Sequence, residues 1–366
     1  MLVNGWRGRR VFLTGHTGFK GSWLALWLHA LGAEVTGFSL APPTEPSLFA
    51  LARVGELVTH VEGDIRELGP LREAMAGARP EVVFHLAAQP LVRLSYDEPV
   101  ETYATNVMGT VHVLEAARQV AGVAACVCIT TDKCYENREW VWPYRESDPM
   151  GGFDPYSSSK GCAELVISAW RRSFFDGGRG PALASVRAGN VIGGGDYALD
   201  RLVPDLVRAF ERGEAPVIRS PDAVRPWQHV LEALGGYLLI AERLLAGEPV
   251  FADAWNFGPA DDDARPVSWI VDRMRATWGG TADTQPWRGA VPHEAGLLRL
   301  DISKARSLLG WQPSLPLGGA IGAIVAWHKA VAGGADPRAV TLDQIAAYAR
   351  TAAAVGVPQV SAGAPA

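Results

Sequence analysis

The sequence predicts an α/β fold, a doubly wound parallel sheet with a smaller C-terminal lobe. Three observations carry this. Short β-rich runs alternate with longer helical patterns through the first half of the chain. The runs Val82–Leu86 and Ala125–Thr131 are apolar almost throughout, as strands covered on both faces are. A glycine-rich turn lies directly between the first strand and the first helix. In order, Arg10–Thr14 is a strand and Ser22–Leu31 carries apolar residues at helical spacing. Glu34–Ser39, Leu57–Glu62 and Val82–Leu86 are the next strands. Glu98–Val120 is helical (Val100, Tyr103, Val107, Val111, Leu114, Ala117). Ala125–Thr131 is a strand, Tyr156–Phe175 a helix and Ala182–Ala188 a strand. Right-handed crossovers between such units give the doubly wound arrangement. Beyond about Arg187 the pattern loosens, with helices over Arg201–Arg212 and His229–Leu245. The expected division is a sheet domain over 1–187, a lobe over 188–350 with a return to the sheet left open, and a disordered tail over 351–366.

Composition excludes several classes. With 366 residues, 48% hydrophobic and 20% charged, the chain can bury a sizeable core, so its body is not disordered. A formal net charge of -5 leaves no basic excess for a phosphate backbone, and nucleic acid is not expected as a partner. No run approaches the ~18 apolar residues of a membrane span. The apolar run Val11–Leu13 is too short for a signal peptide. Cys126, Cys128, Cys134 and Cys162 lack a framework spacing, and Cys126 and Cys128 alternate within a strand as core thiols do. These features predict a reduced cytoplasmic protein.

Gly15-His16-Thr17-Gly18-Phe19-Lys20-Gly21 closes the first strand and opens the first helix. Glycines there permit a tight turn and close approach of the backbone to a pyrophosphate at the helix N-terminus. This predicts a Rossmann-like dinucleotide site, and the spacing resembles the variant of the short-chain dehydrogenase/reductase superfamily. The second strand ends in Gly37-Phe38-Ser39-Leu40, without the usual ribose-binding acid or an adjacent Arg, so this position does not choose NAD or NADP. Asp64 and Ile65 resemble the superfamily's adenine-contacting pair. Leu86-Ala87-Ala88-Gln89 ends the fourth strand with small residues that leave room for ribose and nicotinamide.

Tyr156 and Lys160 stand four apart on a helix and share a face. With 8 Tyr and five Lys in the chain, chance supplies such a pair only about 0.1 times. A nearby ammonium would lower the phenol pKa toward neutrality and let Tyr156 take a proton from a substrate hydroxyl. Thr130-Thr131-Asp132-Lys133 ends the fifth strand, at the edge where open α/β sheets bind ligands. Asn106 matches the superfamily's helical Asn, and Thr131 its substrate-facing hydroxyl.

The chain resembles the extended short-chain dehydrogenases that act on nucleotide sugars, in particular the dehydratase branch specific for CDP-glucose. The resemblance rests on Gly15 to Leu24, Pro42-Pro-Thr-Glu-Pro46, Thr130 to Asn137, Arg187 to Asp196 and Arg225-Pro-Trp-Gln-His-Val230, and runs from about Trp6 to His328. It implies NAD as a recycled hydride carrier and a redox-neutral lyase. Hydride leaves C4, the resulting ketone acidifies C5–H, water is lost across C5 and C6, and hydride returns to C6. In that scheme Asp132 protonates the departing C6 hydroxyl and Lys133 stands where relatives carry the C5 base. Most hexose dehydratases end this strand in Asp-Glu, so Asp132-Lys133 marks the CDP-glucose branch. The resemblance further implies that Arg225 faces the diphosphate, that Asn190 contacts the same region and that Arg201 is a weaker candidate. It also implies pairing through the two long helices into a homodimer or dimer of dimers. His16, His85 and His293 are read as non-ligands, and no metal-ligand spacing is present. An epimerase of the same superfamily would not need Asp132-Lys133, and a non-enzymatic dinucleotide binder would not need Tyr156 and Lys160.

Overall fold

The computed structural model describes residues 5–279, 283–289 and 296–358. Seven parallel strands form the central sheet: β1 (Arg10–Thr14), β2 (Glu34–Ser39), β3 (Thr59–Glu62), β4 (Val82–His85), β5 (Ala125–Ile129), β6 (Ala182–Ala188) and β7 (Ala254–Phe257). Their spatial order is β7-β6-β5-β4-β1-β2-β3. The chain runs outward from β1 in one direction and from β4 in the other. Thr14 and His85 pair at the reversal, so a crevice opens beyond the carboxyl ends of these two strands.

Side-chain alternation along β5 divides the core. Ala125, Val127 and Ile129 join the cluster on one face, with Trp23, Leu24 and Trp27 of α1 (Phe19–Ala30) and Leu234 and Leu238 of the helix Val230–Leu245. Cys126 and Cys128 join Phe12, Val83, Leu114 and Ile167 on the other. Both layers cover the sheet, which is why β4 and β5 contain only buried residues. A third cluster builds the lobe from Leu202–Arg212, Val267–Trp278 and Leu317–Ala332 around Ile192 and Trp227.

Two expectations need correction. The single helix over Glu98–Val120 is divided: Pro99–Tyr103 leads into a π-helical turn at Ala104–Met108 before Gly109–Gln119. The tail keeps its structure further than composition implied, because the helix Pro337–Ala354 turns Ile345, Tyr348 and Ala352 into the main core and Val357 is buried after it. The remainder of that expected tail, 359–366, lies outside the described residues.

Candidate active site

Close backbone approach builds the glycine turn. Gly15 has φ +77°, and a Cβ on it would stand 2.6 Å from the Ala87 nitrogen at the end of β4. A Cβ on Gly21 would stand 2.1 Å from the Gly15 carbonyl oxygen. Gly18 caps α1 without a side-chain acceptor, so the first helical amides are left for an anion. The end of β2 offers hydroxyls where a carboxylate is common: Ser39 Oγ lies 2.7 Å from Thr17 Oγ, which donates to the Leu40 carbonyl at 2.9 Å. Asp64 accepts from the Arg66 backbone N–H and Nε, each at 2.8 Å. Burial pushes its carboxyl up, but these bonds prevail and hold it below the ordinary value. Ile65 packs so closely on Gly109 that a Cβ there would meet its Cδ1 at 2.4 Å. A glycine cradle, uncapped helix amides and small residues at Ala87 and Ala88 fit a dinucleotide.

Asn106, inside the π-helical turn, ties three segments together. Its Oδ1 accepts from the Gln89 N–H (2.9 Å), and its Nδ2 donates to the Gln89 carbonyl (3.0 Å) and to Ser159 Oγ (2.9 Å). Ser159 Oγ donates to the Tyr156 carbonyl at 2.7 Å. The turn that departs from the α-helix therefore sets the end of β4 against the helix Pro155–Trp170.

That helix carries Tyr156 and Lys160, both buried. Asp154 caps it, accepting from the Ser157 N–H at 2.9 Å, with Pro155 in the first turn. Lys160 Nζ donates to the Ile129 carbonyl at 3.5 Å. Burial pulls its pKa down to about 8, against the opposing pull of Glu164. For Tyr156 the expected lowering does not occur. Burial, with the charges of Asp132 and Asp154, pushes the phenol up to about 12, against the Thr131 hydroxyl and the Arg201 charge. The physical reason is that a phenolate loses its solvation here.

Thr131 begins a short 3-10 turn over Asp132–Cys134. Its hydroxyl donates to Asp132 Oδ1 at 2.9 Å. Asp132 Oδ2 is buried with no hydrogen-bond partner among the described residues. Burial raises the Asp132 carboxyl above its ordinary value, although Lys133 and Arg225 pull the other way. Beneath them Glu164 makes a buried ion pair with Arg187 (2.7 Å) and accepts from Thr130 Oγ (2.5 Å) and Ser185 Oγ (2.8 Å).

Lys20, Leu86, Ala88, Thr131, Asp132, Lys133, Tyr156, Lys160, Asn190, Arg201 and Arg225 line one cavity of about 300 Å³. Gly15, Gly18, Phe19, Gly21, Asp64, Ile65, Ala87, Gln89 and Asn106 are not among its lining. Lys20 is pulled down to about 7 by burial and by Arg201 and Lys160. Arg201 lies inside the site, 3.4 Å from Asp196. Arg225 donates to the carbonyls of Val224 (3.0 Å) and Gly296 (3.3 Å).

The histidines have structural partners. His85 bridges Thr14 and Thr110 at 2.8 and 3.1 Å, and His16 meets His60 at 2.7 Å. Burial holds them to about 3 and about 4, so both rings are neutral. His293 lies outside the described residues. Among the described residues no group of three His, Cys, Asp or Glu could hold a metal ion. Arg93, Asp196, Asp200 and Arg219 also line the cavity and were not singled out by the sequence reading. Of these, only Asp196 had a signal, ending the Gly193-Gly194-Gly195-Asp196 string.

Comparison with known proteins places this geometry. The chain is 56% identical over 349 residues to the CDP-glucose 4,6-dehydratase of Salmonella typhimurium, covering 94% of this chain and 97% of that one. It is 26% identical over 331 residues to the UDP-glucose 4-epimerase of Mycolicibacterium smegmatis, covering 87% and 98%. In fold it is similar to the dTDP-glucose 4,6-dehydratase DesIV of Streptomyces venezuelae, solved with NAD and TYD bound, at a TM-score of 0.77, 23% identity and coverage of 90% and 99%. Residues 11–258 match the model of the NAD dependent epimerase/dehydratase family, and the chain belongs to that family.

Proposed function

We infer that the protein is a hydro-lyase that dehydrates CDP-glucose to CDP-4-keto-6-deoxyglucose and returns its NAD unchanged. The carrying observation is identity of 56% across 94% of the chain to a CDP-glucose 4,6-dehydratase. The buried Asp132 carboxyl, in the same cavity as Tyr156, agrees with it, because an epimerase has no water to expel. NAD, held by the glycine turn, Lys20, Asp64, Ile65, residues 86–89, Asn106 and Lys160, supplies a hydride acceptor for C4 and donor for C6.

The side chains do the rest. Thr131 and Tyr156 hold the C4 hydroxyl, and Tyr156 takes its proton. A bound NAD cation would favour the phenolate by its charge, in addition to the ammonium of Lys160. Lys133 removes the C5 proton of the 4-keto sugar. Asp132, whose carboxyl burial raises above its ordinary value, donates to the C6 hydroxyl as it leaves as water. Asn190, Arg201 and Arg225 face the diphosphate. In this reading residues 1–187 carry most of the NAD site and 188–350 most of the nucleotide-sugar site.

Incubation with CDP-glucose and NAD, followed by mass spectrometry and cofactor absorbance, tests the assignment. A keto-deoxy sugar at constant total NAD is expected, and a C4 epimer or net NADH would overturn it.

Exposed apolar residues on the two long helical stretches, Val100, Tyr103, Met108, Leu165 and Phe174, support self-association through them. Among the described residues no helix is long and apolar enough to cross a membrane, and all four cysteines are free thiols. Both agree with a place in the cytoplasm.

A further inference from the structure

We propose that Asp200, flanked by Arg93 and Arg219, reads the nucleobase of the substrate and selects cytosine over uracil and thymine. The inference rests on the nucleotide-hexose reading above and names the residues that set its base.

All three side chains line the cavity that contains Tyr156. Asp200 Oδ1 accepts from Arg93 at 2.7 Å and from Arg219 at 3.5 Å, and Arg219 also donates to the Asp200 carbonyl at 2.8 Å. Arg93 is further placed over the Trp287 ring, 6.0 Å from its centre. Asp200 has φ +58°, a conformation few non-glycine residues adopt. This left-handed residue turns the chain so that two neighbours serve different places. Arg201 pairs with Asp196, and its charge is felt by Tyr156 and Lys20. Asp200 and Arg219 act instead on Asp205, on the lobe helix Leu202–Arg212.

Chemistry then assigns the cluster. A nucleotide hexose with its C4 hydroxyl at Tyr156 has the diphosphate and ribose between that carbon and the base. The base must occupy a part of the cavity away from the reacting groups. Cytosine presents an amine donor at N4 beside acceptors at N3 and O2. A carboxylate between guanidinium groups presents one acceptor beside donors, which is the complementary edge. Uracil and thymine present O4, an acceptor, where cytosine has its amine, and O4 would face the carboxylate. Asp200 Oδ2 makes no hydrogen bond among the described residues, and a carboxylate has acceptor capacity beyond its bonds to Arg93 and Arg219.

The test is Asp200→Asn, since Asn also tolerates the left-handed backbone and its amide can either accept or donate. Values of kcat/KM for CDP-glucose and UDP-glucose are compared on the NAD-loaded full chain, with calorimetric affinities for CDP and UDP. The expected result is a fall of about ten- to a hundredfold in the CDP/UDP preference, expressed in KM and mirrored in binding. An unchanged preference, or an equal loss for both nucleotides, overturns the proposal. If Asp200→Asn does not fold, Arg219→Gln must lower the same preference, and an unaltered ratio there overturns it too. If the wild-type chain binds CDP over UDP but forms no keto sugar, the dehydratase reading has failed, while the binding arm still decides this one.

Discussion

Burial raises the pKa of both Tyr156 and Asp132, and the two acids line one cavity. Asp132 therefore has a measurable effect on stability. Its folded pKa lies above the unfolded one, so the stability it contributes is present at low pH and is lost as pH rises through the folded pKa. Above the folded pKa the buried carboxylate opposes folding. Asp132→Asn is expected to melt above wild type at pH 8, with the advantage shrinking toward pH 4, while dehydration is lost. Calorimetry that finds the variant no more stable at pH 8 contradicts this. Tyr156→Phe and Lys133→Met separate the two halves of the reaction. The first removes the group proposed to take the C4 proton, so turnover should drop about 10²–10⁴-fold with CDP-glucose still bound. Lys133→Met keeps much of the stem but accepts no proton, so the 4-keto sugar should form and stall. Bound NADH then accumulates in the near-UV while C5–H fails to exchange in deuterated solvent; normal exchange would remove Lys133 as the base. Tyr156 and Lys160 were legible in the sequence because a helix brings residues four apart together. Asp200 was not, because its partners lie 107 and 19 positions away and only the folded chain assembles them.

The helix Pro155–Trp170 is anchored from below by Glu164, which also opposes the loss of charge on Lys160. Glu164→Gln leaves Arg187 buried without its counter-ion, at an expected cost of about 3–5 kcal/mol. Urea unfolding would show it, and a loss below about 1 kcal/mol would mean that the pair is not the anchor. At this scale β1, β2 and β6 have the bounds read from the sequence, because buried strands stand out between turn residues. The π-helical turn had no such signal. It answers to contacts that Asn106 makes 17 and 53 positions away, which periodicity within one segment cannot register. The end of the helix Pro337–Ala354 was read as tail for a different reason: its run of alanines resembles low complexity until the fold places Ala352 and Val357 in the main core.

In the whole molecule, the exposed apolar residues of the two long helical stretches face away from both cores. Met108→Glu with Leu165→Glu is expected to convert a multimer into a species near 39.2 kDa by sedimentation at micromolar concentration. Wild type sedimenting at that mass would remove the claim of self-association. The seventh strand has a consequence for how the chain comes into being. β7 lies 66 or more residues beyond the end of β6, yet it pairs with β6 through Ser185, Val186, Arg187 and Ala188. Until residue 257 has been synthesised, a nascent chain holding every strand of the cofactor half still presents β6 as a raw edge, open to pairing with another chain. The chain beyond β6 thus also closes the sheet against aggregation. A gene cut between the halves should yield an insoluble first piece that becomes soluble when the second is made beside it.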